Sequence, residues 1–182
     1  FGVQGRGKFY DEVGCIRDVI ENHLFLVLLL LAMEPPAGHS ADDLIDEKVQ
    51  VLKAIRPLAA EDVVRGQFAG YLDEPGVKPG STVETFAAVR LFIDTWRWHG
   101  VPFYIRAGKC LPVRATEVVV RLKRPPLDVF DPIGPDDANS LRFRISPQVA
   151  IAIGARRKRA GDEMVGEPVE LTALDETAGD ME

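Results

Sequence analysis

IRDVIENHLFLVLLLLAME, residues 16–34, sets an aspartate (Asp18), an asparagine (Asn22) and a histidine (His23) at the entrance of an almost wholly apolar helix. Polar groups at the lip of such a segment are costly to bury unless they are paired or put to work. Histidine titrates near neutrality, so one held near a carboxylate is a credible proton acceptor. On a regular helix Asp18 and Asn22 share a face, about 40° apart, whereas Asp18 and His23 are separated by about 140° and roughly 7.5 Å along the axis. That spacing lets Asp18 and His23 flank one ligand without easily touching each other. A histidine near a helix start is more often a satisfied surface or core residue, so spacing suggests a site without proving one.

Outward from this stretch, residues 11 to about 33 read as one long helix stopped by Pro35 and Pro36. Ser40 with Asp43 has the form of a capping box, and Leu44, Ile45, Val49, Leu52 and Ile55 recur at helical spacing until Pro57. The character then changes. Residues 63–71, 85–94, 101–107, 115–123, 141–146, 149–155 and 169–173 are mostly rich in β-branched and aromatic residues. Gly, Pro and Asp punctuate them, as at Asp73–Gly76 and Pro132–Pro135. Helices followed by strands with no helices between predict an α+β fold, with N-terminal helices packed on a large, mainly antiparallel β-sheet. The acidic stretch from Thr172 to Glu182 reads as frayed or as an interrupted strand.

The 182 residues are 46% hydrophobic and 27% charged, an ordinary globular balance. A net charge of -6 argues against general nucleic-acid binding. The two cysteines, Cys15 and Cys110, show no CxxC spacing and no Cys/His cluster, which argues against a disulfide scaffold and against a metal site and fits the cytoplasm. No signal peptide is visible, and the apolar run from Leu24 to Met33, about ten residues, falls well short of a bilayer span of roughly twenty. The chain opens without Met and reads as the middle of something longer.

Gly2 to Lys8 has the G-x-x-x-x-G-K outline of a phosphate loop, but Phe9 follows in place of Ser or Thr and no strand precedes it; a flexible, positively charged turn is the better reading. There is no GxGxxG fingerprint for a dinucleotide. The stronger second candidate is GVPFYIRAGKCLPVR, residues 100–114. A hydrophobic strand ends in Arg106 and Lys109, Gly108 permits close backbone approach, and Arg114 follows. Three cations converging there would suit a phosphate-bearing anion; the bland alternative is a solvated strand end. The basic run Arg156–Arg159 reads as a solvated hairpin turn. Trp96, Trp98 and His99 read as an aromatic corner between strands, and His39 sits in a Pro/Gly loop with no signal.

Taken in order, FGVQGRGKFYDEVGCIRDVIENHL, LLAMEPP, DEKVQVLKAIRP, VVRGQFAGY, GSTVETFAAVRLF, GVPFYIRAGKCLP and ATEVVVRLKRPP resemble the glucose-6-phosphate dehydrogenase family across nearly the whole chain. IRDVIENH and IRAGKCL are its most specific stretches. The resemblance implies oxidation of glucose 6-phosphate to 6-phosphogluconolactone, the first step of the pentose phosphate pathway, with hydride passing to NADP, or in some members NAD. By motif match His23 is expected to be the general base, Asp18 to bond sugar hydroxyls, and Lys109 and Arg114 to contact the substrate. Arg106 and Asn22 join them as supporting candidates from the residues alone. No metal is implied.

Arg114 stands where many members carry lysine, which keeps the charge but changes reach and geometry, and Glu21 replaces a common glutamine. The glycine-rich nucleotide-binding half and the Arg-Ile-Asp-His-Tyr-Leu-Gly-Lys segment of the family are not among these residues. Residues 1–182 are therefore expected to form the carboxy-terminal substrate and dimerisation domain, truncated at both ends. On its own this domain is expected to be inactive, with most of the NADP site elsewhere. The family's sheet forms its dimer contact, implying a homodimer through an isologous sheet face. The alternative is a non-catalytic remnant kept for sugar-phosphate binding or oligomerisation; retention of a proton acceptor argues against it.

Overall fold

Glycine and proline mark several of the helix boundaries. The computed structural model describes residues 2–127, 138–161 and 163–174, and its contacts divide into two units, Phe1–Leu111 and Pro112–Glu182. In the first unit, helix α1 (Gly7–Cys15) is interrupted at Gly14, whose φ of 75° and ψ of 175° are not helical. Such a positive φ suits glycine because there is no Cβ to clash. A π-helix (Ile16–Leu24) follows, then helix α2 (Phe25–Ala32). The single long helix expected from residue 11 to 33 is thus three segments with different hydrogen-bond ladders.

Helix α3 (Ala41–Ala54) starts with the expected capping box: the Ser40 hydroxyl accepts the Asp43 N–H at 3.1 Å, and the Ser40 N–H donates to the Asp43 carboxylate at 2.9 Å. Strands β1 (Val63–Gly66), β2 (Phe86–Phe92) and β3 (Pro102–Gly108) form an antiparallel sheet in that order. The β2–β3 pairing runs from Phe86↔Gly108 to Phe92↔Pro102. The strand expected over 63–71 stops at Gly66; Gly70 adopts a φ of 89° and Tyr71 opens a short 3₁₀ turn.

The period of two along β2 turns Ala87, Val89 and Leu91 inward, with Ile93 continuing the row. Around Ala87 and Val89 gather Tyr10, Cys15, Ile20 and Ala107; around Leu91 and Ile93 gather Leu28, Leu29, Ala32 and Val51. Helix α2 is apolar all round yet buries only part of its circumference, leaving Leu26 and Leu30, one turn apart, nearly half exposed. The aromatic corner is as expected: the Trp98 indole donates to the Ala32 carbonyl at 2.9 Å and meets Phe103 edge-on, while Trp96 stands fully exposed.

The second unit is an antiparallel meander of β4 (Thr116–Arg121), β5 (Ser140–Ser146), β6 (Ala150–Lys158) and β7 (Gly166–Leu174). The fold class is α+β with antiparallel pairing, as the residue pattern predicts, but the described strands fall into two sheets and not one large one. The basic run is also corrected. Arg156–Lys158 continue β6, where Arg157 pairs with Glu167 at 2.8 Å and Arg156 donates to the Gly166 carbonyl; only Arg159 lies past the strand end. The turn expected at Pro132–Pro135 and the tail beyond Leu174 lie outside the described residues.

Candidate active site

Closing hydrogen-bonded rings at every fifth residue and not every fourth, as in the Phe25 N–H to Ile20 carbonyl bond, winds the segment Ile16–Leu24 wider than an α-helix. Positions five apart then come onto one face. His23, which an α-helix would set about 140° round from Asp18, comes onto the side of the π-helix that Asp18 and Asn22 already share. This corrects the angular separation expected for Asp18 and His23. Asn22 and His23 are exposed and Asp18 is half-buried, so the group faces outward from the core.

Buried Ile20 and Cys15 hold the inner side of this segment against Ala87 and Ala107 of the sheet. That contact puts the end of β3 beside the π-helix. Lys109 follows Gly108, and its backbone N–H donates to the Thr85 carbonyl at 2.8 Å, which fixes where its side chain departs. A Cβ at Gly108 would stand 2.8 Å from the Phe86 ring, so the last residue of β3 must be small for this pairing.

The Lys109 ammonium lies 4.0 Å from the Asp18 carboxylate, with side-chain exposures of 12% and 22%. It also sits 5.1 Å from the centre of the Tyr10 ring, a cation–π contact that the sequence alone did not signal because Tyr10 lies in α1. Burial pushes the Tyr10 hydroxyl far above the ordinary tyrosine range, with the Cys15 thiol beside it as the next cause, so the ring stays neutral under the cation. Burial likewise raises the Cys15 thiol, which stays protonated and unreactive.

Not every expected residue joins this group. Arg106 is exposed, and alternation along β3 sends it to the opposite face from Ile105 and Ala107, which pack toward the π-helix. The convergence of Arg106 with Lys109 expected from spacing is therefore not formed. Arg114 belongs to the second unit, exposed and just ahead of β4. Gly7, the second glycine of the phosphate-loop outline, opens α1, and a Cβ there would stand 2.3 Å from the Pro75 carbonyl; it is a packing glycine. Among the described residues no group of three or more His, Cys, Asp or Glu side chains could hold a metal ion. Among them, too, no helix is long and apolar enough to cross a membrane.

A carboxylate and an ammonium held together beside an outward-facing imidazole can bind a polyhydroxylated anion and accept a proton from it. Over residues 1–181 the chain matches the family described as Glucose-6-phosphate dehydrogenase, C-terminal domain. It is 51% identical over 148 residues to glucose-6-phosphate 1-dehydrogenase 1 of Mycobacterium tuberculosis, covering 81% of this chain and 32% of that protein. A crystal structure of glucose-6-phosphate 1-dehydrogenase from Mycobacterium avium superposes with a TM-score of 0.87 at 43% identity, covering 96% of this chain and 38% of that one. A glucose-6-phosphate dehydrogenase solved in complex with its substrate glucose-6-phosphate gives a TM-score of 0.85 at 38% identity, covering 96% and 37%. The chain spans about a third of the length of the curated relatives it matches. It belongs to the glucose-6-phosphate dehydrogenase C-terminal domain family.

Proposed function

We propose that this chain is the substrate-binding and dimer-forming domain of an NADP-dependent, cytoplasmic glucose-6-phosphate dehydrogenase, which oxidises glucose 6-phosphate to 6-phosphogluconolactone. The observation that carries this reading is the meeting of Asp18 with Lys109 beside the helix face that bears His23. A relative of known structure holds glucose 6-phosphate as its substrate, which supports the choice of ligand.

The imidazole of His23 accepts the proton of the anomeric hydroxyl. The Asp18 carboxylate accepts hydrogen bonds from sugar hydroxyls, and Asn22 supports them. Lys109 offsets the charge of the phosphate dianion; Arg114 is assigned to the substrate by resemblance alone. Holding both ends of the sugar phosphate fixes the reacting carbon against the base, which is where positional catalysis gains most. Arg106 is left out because it leaves the other face of β3.

Both described sheets are antiparallel and offer no strand, glycine turn and helix of the kind that cradles a dinucleotide. By resemblance to the family, most of the site for the hydride acceptor, NADP, is assigned to parts of the full-length protein outside these residues. The four-stranded sheet supports the dimer. Register lines up Val118, Phe143 and Ile151 in one row and Val120, Leu141, Ile153 and Leu171 in the next, an apolar face on which Ile151, Ile153 and Leu171 are exposed.

Steady-state NADPH formation by the full-length protein tests the catalytic reading. His23→Asn should lower kcat by about 10²–10⁴-fold while leaving calorimetric binding of glucose 6-phosphate near wild type. Unchanged kcat in His23→Asn would overturn the assignment.

A further inference from the structure

The helix that carries Asp18 and His23 has an awkward start. The non-helical backbone of Gly14 ends one ladder and begins another, so the first N–H groups past it have no carbonyl of their own helix in line. Both are taken by one residue from elsewhere in the first unit. The Cys15 N–H donates to the Glu84 carbonyl at 3.0 Å, and the Ile16 N–H donates to the Glu84 carboxylate Oε1, also at 3.0 Å. The carboxylate lies so close over Gly14 that a Cβ there would stand 2.7 Å from Oε1.

Glu84 sits in a rigid bracket. The Gln67 side-chain amide donates to the Ser81 and Val83 carbonyls, each at 2.9 Å. The fully buried Thr85 donates its N–H to the Gly66 carbonyl and accepts the Phe68 N–H on its hydroxyl at 2.8 Å. The next carbonyl along, that of Thr85, holds the Lys109 N–H at 2.8 Å. Two adjacent residues therefore grip the helix of Asp18 and His23 on one side and the backbone of Lys109 on the other.

We propose that Glu84 is a positioning residue for the sugar-phosphate site: its carboxylate fixes the start of the π-helix and so sets where Asp18 and His23 stand relative to Lys109. This rests on the reading of those residues as that site. Glu84 acts through the Ile16 N–H, two residues ahead of Asp18. What matters is an acceptor oxygen at the right reach, not the negative charge itself.

In the full-length protein, Glu84→Ala should raise KM for glucose 6-phosphate about tenfold while KM for NADP stays within about twofold. Glu84→Gln, which keeps an acceptor oxygen at the same reach, should restore the wild-type value. Glu84→Asp, charged but one methylene shorter, should resemble the alanine variant. In a Lys109→Ala background the Glu84→Ala change should add less than about twofold, because the partner it aligns is already gone. Amide exchange at Ile16 should quicken in Glu84→Ala and not in Glu84→Gln.

A wild-type KM for the sugar phosphate in Glu84→Ala would overturn the proposal, as would Glu84→Gln impaired like alanine, or both KM values rising together. If Glu84→Ala does not fold, the Gln and Asp variants decide by the same ordering. If the wild-type protein itself shows no glucose-6-phosphate-dependent reduction of NADP, the proposed function falls, and Ile16 exchange still judges the clamp.

Discussion

The Asp18 carboxylate and the Lys109 ammonium, from segments distant in the chain, stand 4.0 Å apart on the flank of one helix. At that separation, with both side chains partly open to water, the pair orders the site more than it stabilises the fold. A double-mutant cycle of Asp18→Asn with Lys109→Met, followed by chemical denaturation, should give a coupling below about 1 kcal/mol. Calorimetry on the same variants should show binding of glucose 6-phosphate weakened at least about tenfold by loss of Lys109. A coupling of several kcal/mol with unchanged binding would make the pair structural.

Tyr10 supports Lys109 with its ring, not its hydroxyl. Tyr10→Phe should therefore keep substrate affinity within about twofold. Tyr10→Leu, which removes the aromatic face, should cost about 0.5–2 kcal/mol in binding of the sugar phosphate. Titration of each variant separates the two, and equal losses would count against the cation–π contact.

Asp11 is buried and holds three donors: the Ser81 hydroxyl, the Lys78 N–H and the Tyr71 hydroxyl. Chiefly the Ser81 bond keeps its carboxyl below the ordinary value of 3.8. A depressed folded value means the ionised carboxylate stabilises the fold fully above 3.8, and that contribution is lost as pH falls through the lower folded value. Tyr71 is the opposite case. Burial first, and the Asp11 carboxylate second, push its hydroxyl from 10.0 up to about 12, so its contribution is complete below 10 and lost as pH rises through about 12. Thermal melting across pH 2–6 should show Asp11→Asn with a flatter acid limb than wild type; identical limbs would remove Asp11 from the account.

The apolar rows of the four-stranded sheet predict their own test. Ile153→Lys together with Leu171→Glu, both on solvent-exposed positions of that face, should shift sedimentation of the full-length protein from dimer toward monomer. The circular dichroism spectrum should be unchanged. A dimer that survives both charges lies on some other surface.

Local chemistry made much of this protein legible in its residues. Ser40 with Asp43 caps α3 because a hydroxyl and a carboxylate three residues apart can each satisfy the other's backbone N–H at a helix start. The strands follow from alternation and from the glycines and prolines between them. IRDVIENH and GKC mark His23, Asp18 and Lys109 through the family likeness, without any geometry. The tertiary structure decided what depends on winding and on contacts between distant segments. Gly14 reads as an ordinary mid-helix glycine, yet its positive φ resets the ladder and the π-winding that follows brings Asp18 and His23 to one face. Arg106 and Lys109 look like partners in sequence, but alternation sends Arg106 to the face of β3 away from Ile105 and Ala107, while Lys109 follows the strand end and meets Asp18. Tyr10 under Lys109, and Glu84 at the head of the helix, are invisible in the chain because they act across loops whose closure is fixed only when the core around Ile20, Ala87 and Ala107 has formed.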